Sequence, residues 1–223
     1  TGRAAKDFSL KDGTKMMVEI VGIRQDIRAG RSDRTVGLTF MTTTPLAARP
    51  MNDATALGGW EQSTLRAWMN SELIEQFPEE VATRVTTVQK PTNNTGATTS
   101  ADAITMTDDR LWIPSMSELC GVQGPETFSE DYRYLSALYS NEGSQYLLFD
   151  QLGVSGLSAN ESLVLNRDGN RVFWWERTPS PDISQGKTTT AFNRVGREGD
   201  AFSHATSGSS PRQKTYVVVG FCL

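Results

Sequence analysis

Tyr216-Val217-Val218-Val219-Gly220-Phe221-Cys222-Leu223 closes the chain as an almost unbroken apolar run. A short run rich in β-branched and aromatic residues reads as a strand. Left at an open sheet edge it would pair with other chains, so it must be buried against a sheet. Two further segments supply strands. Lys15-Met-Met-Val-Glu-Ile-Val-Gly-Ile23 and Thr35-Val-Gly-Leu-Thr-Phe-Met-Thr42 are apolar, and the polar stretch Arg24 to Arg34, containing Gly30, reads as a hairpin connection between them. A second hairpin runs from Leu163-Val-Leu165 through Asn166–Asn170 to Val172-Phe-Trp-Trp175, with Asp168-Gly169 supplying positive φ at the turn.

Helices are few. Ser63 can cap a helix on which Leu65, Trp68, Met69, Leu73 and Phe77 share one face, and it should pack on a sheet that includes the C-terminal strand. Pro78 ends it or opens the next turn, where Glu79 and Glu80 suit a helix N-terminus. Arg110 to Ile113 reads as a short strand, and Ser115 with Glu118 has capping-box spacing, so a short helix should begin there. Tyr132 to Tyr139 reads as another helix. Residues 91–109 show no apolar period and read as a long surface loop or an irregular arm. Residues 176–215 are dominated by Ser, Thr, Gly, Arg and Asp, with sparse anchors at Phe192, Val195 and Phe202. No internal repeat or flexible linker divides the chain, so we expect one domain over 1–223, α+β in class, β-rich with a few short helices.

Composition narrows the function. The chain has 223 residues, 37% hydrophobic and 22% charged, with a formal net charge of -4. That is globular composition, and the acidic balance argues against nucleic acid as a partner. No stretch approaches the ~20 apolar residues of a membrane helix, so no direct membrane insertion is expected. The polar start, Thr1 to Asp7, holds no signal-peptide core, and opening on Thr is what a processed or excised piece would show. Cys120 and Cys222 are too few for a disulfide framework or a four-ligand zinc site; they could pair, and two buried thiols is the favoured reading.

No motif assembles an active site. Gly186-Lys187-Thr188 imitates the end of a phosphate-binding loop, yet Pro181 stands where that motif needs glycine. Asn166 to Asn170 lacks the later bidentate acid of a calcium loop, and Arg167 would repel the ion. His204 is the only histidine, and Asp200 beside it lies in a Gly/Ser-rich loop unsuited to hold a catalytic base. Glu176, next to Trp174 and Trp175, is the most suggestive acid; the plainer expectation is core tryptophans and a solvent-facing Glu176. Trp60, Trp68 and Trp112 read as core in the same way. The reading is therefore no catalytic residue, no metal and no cofactor.

Four separated blocks resemble a bacterial and phage family, domain of unknown function 6273. They are Gly58-Gly-Trp-Glu-Gln-Ser-Thr-Leu-Arg-Ala-Trp-Met-Asn70, Thr107-Asp-Asp-Arg-Leu-Trp-Ile-Pro-Ser115 with Glu118 following, Trp174-Trp-Glu-Arg-Thr-Pro179, and the ending Gly220-Phe-Cys-Leu223. They keep the family order from about residue 50 onward. Glu176 departs from the family's apolar residue there, and Thr178 from its serine. The resemblance implies a C-type-lectin-like fold, similar to formylglycine-generating enzymes and to the variable proteins of diversity-generating retroelements, whose C-terminal segment is a scaffolded binding surface. The calcium-site triplets of sugar-binding lectins are absent.

By that resemblance, residues 176–216 form a diversified ligand-binding surface. Asp182, Asn193, Arg194, Arg197, Glu198, Asp200, Phe202, Ser203, His204, Arg212 and Tyr216 should project into solvent, while Trp174, Phe192, Val195 and Phe221 point inward. The implied function is adhesion or receptor recognition at a phage tail tip or bacterial surface, with a protein or glycan ligand. The alternatives are a structural module of a virion or envelope protein and, least favoured, an enzyme of the formylglycine-generating type using cysteine thiols.

Overall fold

Met16, Val18 and Val21 turn their side chains inward from Lys15–Ile23, and this strand becomes the centre of the N-terminal half. The computed structural model describes residues 5–95, 98, 100–121, 124, 136, 140–155, 158–180, 191–201 and 210–223. The first sheet is antiparallel throughout. It places β1 (Ala5–Ser9), β2 (Lys15–Ile23), β3 (Leu38–Thr42) and β12 (Gly220–Cys222) in the order β1-β2-β3-β12. The segment between β2 and β3 is the expected hairpin connection.

The second sheet has the order β10-β9-β11-β4, from β4 (Leu46–Arg49), β9 (Trp174–Ser180), β10 (Ala191–Val195) and β11 (Thr215–Val217). Here β11 pairs parallel with β9 and antiparallel with β4. The C-terminal run is thus buried, but it is two strands rather than one, and it joins the two sheets. Val217, Val218 and Val219 are fully buried where it crosses between them. The break follows from Gly220, which exchanges two backbone hydrogen bonds with Trp112 and lies against its ring. A Cβ at Gly220 would sit 2.2 Å from Trp112 Cζ3, so only glycine lets the strand pass.

Ser63 caps α1 (Thr64–Trp68), accepting from Arg66 N at 3.1 Å, and the helix continues as a π-turn over Met69–Leu73. Leu65, Met69, Leu73 and Phe77 are buried, and the Phe77 ring meets Phe221 of β12 edge-on at 5.6 Å. This is the packing expected from the helical spacing. After Pro78 comes α2 (Glu79–Ala82). Ser115 and Glu118 form the expected capping box at the start of α3 (Met116–Cys120), and α4 spans Leu147–Gln151. The expected hairpin turn is present between β7 (Leu165–Arg167) and β8 (Asn170–Val172), with Asp168 at φ 52 and Gly169 at φ 79.

Two expectations change. Much of 91–109 is not a loop: β5 (Val88–Asn93) and β6 (Ile104–Asp109) pair over six residues each. Their inward positions, Lys90, Thr92, Thr107 and Asp109, are polar, so the period of two was invisible to a hydrophobicity pattern. Arg110–Ile113 is not a strand but a single bridge, Trp112 to Gly220. Residues 176–195, polar with sparse anchors in sequence, carry two paired strands. The expected helix at Tyr132–Tyr139 lies, apart from Ser136, outside the described residues.

Among the described residues the buried apolar side chains form one cluster that includes Trp60, Trp112, Trp174 and Trp175. Trp68 is only half-buried, under the Arg49 guanidinium at 3.8 Å. Cys120 and Cys222 are both buried and are not bonded to each other, which closes the pairing alternative. The architecture is α+β, β-rich with short helices. Among the described residues no helix is long and apolar enough to cross a membrane.

Candidate functional site

Lys90 points inward from β5 and is fully buried. Its ammonium donates to Asp26, to Glu118 Oε1 at 2.9 Å and to the Tyr146 hydroxyl at 2.6 Å, and it lies 3.5 Å from the centre of the Trp112 ring. Arg177, equally buried, extends from β9 to Glu118 Oε2 and to the carbonyls of Ile113 and Glu142. Thr39 donates to Asp26 at 2.5 Å, and the Ser115 amide to Glu118 at 3.0 Å. Burial alone would raise both carboxyls. For Asp26 the charge and hydrogen bond of Lys90 outweigh it, and for Glu118 the charges of Arg177 and Lys90 do, so both stay below the usual carboxylate range. Burial, then the charges of Asp26 and Glu118, push the Tyr146 phenol well up.

A cleft of about 480 Å³ is lined by Asp26, Glu118 and Tyr146 together with Ile27, Ile104 and Met106. Its size suits a small ligand. Its acids, however, have their oxygens committed to Lys90, Arg177, Thr39, Tyr146 and the Ser115 amide. Neither is free to act as a general acid or base. The cluster ties β5, β9, α3 and the segment before α4 together, and it is scaffold.

The C-terminal segment presents a different surface. Trp174, Phe192, Val195 and Phe221 all point inward, as the sequence indicates. Arg197, Glu198 and Arg212 are exposed, and Asp200 and Tyr216 are partly so. Arg194 and Arg197 both place their guanidiniums over the Phe173 ring, at 4.0 and 5.1 Å from its centre. The Tyr216 amide bonds the Phe173 carbonyl, and Gln213 Oε1 accepts from Arg194 at 3.3 Å. The structure thus gathers Phe173, Arg194, Arg197 and Gln213, while Tyr216 pairs in parallel with Trp174 and packs against the core. Arg212 donates to the Asp53 carbonyl at 2.5 Å, and Glu198 pairs with Arg171 at 2.6 Å.

Two residues depart from the expected solvent-facing set. Asn193 is fully buried, and Arg194 is only 8% exposed. The Asn193 amide meets Met116 Sδ of α3 at 3.8 Å, and Arg194 lies over the Phe173 ring beside Gln213. Burial, then the nearby Arg197, lowers the Arg194 guanidinium. Glu176 is also buried rather than facing solvent, while its tryptophan neighbours are core as expected. Burial raises its carboxyl well above the ordinary range, and the charges of Glu142 and Asp200 raise it further. Asp182, Phe202, Ser203 and His204 lie outside the described residues, as does Gly186-Lys187-Thr188.

The sequence reading did not single out Asp26, Lys90, Glu142, Tyr146 or Phe173. Lys90 had the one usable signal: it alternates with Val88 and Thr92, so a strand with Val88 inward puts Lys90 inward too. Burial pushes both thiols up, so neither has the exposed, low-pKa setting of a reactive cysteine. Among the described residues no group of three or more His, Cys, Asp or Glu is arranged for a metal. A family model described as Domain of unknown function (DUF6273) matches residues 35–213. No curated protein and no solved structure matches the chain.

Proposed function

The chain belongs to the domain of unknown function 6273 family, and from that premise we propose that it is a recognition domain of C-type-lectin-like fold, displayed on a phage tail tip or bacterial surface. It binds a protein or glycan through the side of the sheet formed by β9, β10 and β11. One observation carries the reading. The strands of this segment are anchored in the core by Trp174, Phe192, Val195 and Val217, none above 2% exposed, while unlike charges and rings collect at their ends. Such a scaffold tolerates changes of its outer side chains at little cost to folding, which is what a diversified surface of the retroelement type requires. Arginine and aromatic residues are the usual energetic anchors of an interface, and Phe173, Arg197 and Tyr216 fill that role here. The burial of both thiols favours recognition over cysteine-based catalysis.

The test is photo-crosslinking to whole bacterial cells and to a glycan array. A photo-reactive amino acid at Arg197 should yield adducts. The same group at Glu79, exposed on α2, should not. Adducts of equal yield from both positions, or from Glu79 alone, would reject this face.

A further inference from the structure

Around α3, five buried oxygens have no hydrogen-bond partner among the described residues: both carboxylate oxygens of Glu176, Oε2 of Glu142, Oδ1 of Asn193 and Oγ of Ser117. All four residues are fully buried. Each borders the first turn of α3. Thr178, which shares a face of β9 with Glu176, accepts from the Met116 amide at 3.0 Å. Asn193 meets Met116 through its amide nitrogen, leaving Oδ1 over. Ser117 is the next residue of the helix, and Ser115 Oγ donates to the Glu142 carbonyl at 2.6 Å. The charges of Glu142 and Glu176 act directly on each other.

The charges do not balance here. Asp26 and Glu118 are matched by Lys90 and Arg177. Glu142 accepts from the Asn93 amide at 2.8 Å, is held also by the Thr178 hydroxyl, and shares Arg177 with Glu118. Among the described residues Glu176 has no cation and no donor, and the charges that act on it there are Glu142 and Asp200, both negative. Two added protons would neutralise both acids. A single divalent ion neutralises both and can be ligated by carboxylate, amide and hydroxyl oxygens alike.

We infer that Glu142, Glu176, Asn193 and Ser117 form an all-oxygen site for a hard divalent cation of the calcium class. The donor set has no imidazole or thiolate, which disfavours zinc and copper, and the Cys120 thiol is committed to the Met116 carbonyl at 3.1 Å. Two carboxylates with two neutral oxygens is a low charge count, so the affinity belongs at the weak end of protein calcium sites, about 10⁻⁴ to 10⁻³ M, with water completing the shell. The ligands come from four distant points of the chain, which is why no spacing motif announces the site. It lies apart from the recognition face and stands without it.

The full chain is melted at pH 8 in EDTA, in calcium chloride and in magnesium chloride, and calcium is titrated calorimetrically. At a hundredfold excess over Kd, calcium should raise Tm by about 5–11 °C over EDTA. Glu176→Gln should fold in EDTA and lose that shift. Asn193→Asp adds a carboxylate and should tighten calcium binding, a gain that a merely structural role would not produce. Absence of a calcium shift in the wild-type chain, with Tm rising only on acidification, would mean that the two carboxyls hold protons and that no cation site exists. An Asn193→Asp chain with unchanged calcium affinity would also overturn the assignment.

Discussion

Replacing Lys90 with methionine keeps the length of the side chain and removes one charge from a buried set of four. Asp26 then loses its cation and Glu118 keeps only Arg177, so the cluster goes from neutral to a net charge of -1, counting two carboxylates against one cation. Tyr146 keeps its bond to Asp26 at 3.0 Å, and Thr39 keeps its own, so the loss is concentrated in the charge itself. Breaking a buried pair from one side costs about 3–5 kcal/mol. For a chain of this size each kcal/mol moves Tm by about 2–4 °C, so K90M should melt about 6–20 °C lower at pH 7. The pH dependence has a definite sign. Asp26 and Glu118 have folded pKa values below their unfolded ones, so they stabilise above the unfolded pKa and lose that contribution as pH falls. The gap between wild type and K90M should therefore narrow on acidification below about pH 4–5. Calorimetric melts across pH 4–8 measure it. A Tm loss under about 4 °C at pH 7, or a gap that widens in acid, would refute the view of this cluster as a charge-matched scaffold.

Other perturbations separate the remaining parts of the account. Burial raises the Glu142 carboxyl to about 7 from 4.5, so its ionisation destabilises the fold progressively between those values. In EDTA, wild type should lose on the order of 3 kcal/mol over that window, and E142Q should lose less and be the more stable at pH 8, by denaturant titration. Arg171 pairs with Glu161 and Glu198 on the surface, and R171A should cost at most about 1 kcal/mol, an effect erased by salt. Gly220→Ala drives a methyl into the Trp112 ring at 2.2 Å and should cost about 3 kcal/mol or prevent folding, read as loss of soluble, cooperatively melting protein.

What the sequence made legible was local. The Ser63 cap, the Ser115–Glu118 box and the Asp168-Gly169 turn each depend on residues within a few positions, and each forms as expected. The inward tryptophans and the buried C-terminal run follow from apolar patterning in the same way. Most of the misses share one physical cause: inward positions occupied by polar groups. Lys90, Thr92, Thr107 and Asp109 line the inner side of the β5–β6 hairpin, and Glu176 and Arg177 are buried on opposite faces of β9. A buried charge is recognised by its partner, and Asp26, Lys90, Glu118 and Arg177 are too far apart in sequence for any spacing to reveal the match. The recognition face was legible in part. Arg197, Glu198 and Arg212 emerge at the surface, whereas the bulge beside the buried Asn193 is set by β-pairing that no single segment encodes.

The central claim is that binding resides on the outer side of β9–β11 while folding resides beneath it. The most direct measurement takes the array glycan or bacterial cell preparation giving the highest wild-type signal, and determines Kd and Tm together for wild type and for R197A/R212A. Surface substitutions of this kind should leave Tm within about 2 °C. Loss of two arginine anchors should weaken binding at least tenfold, or about 1.4 kcal/mol. An unchanged Kd in that double variant, with the fold intact, would contradict the account.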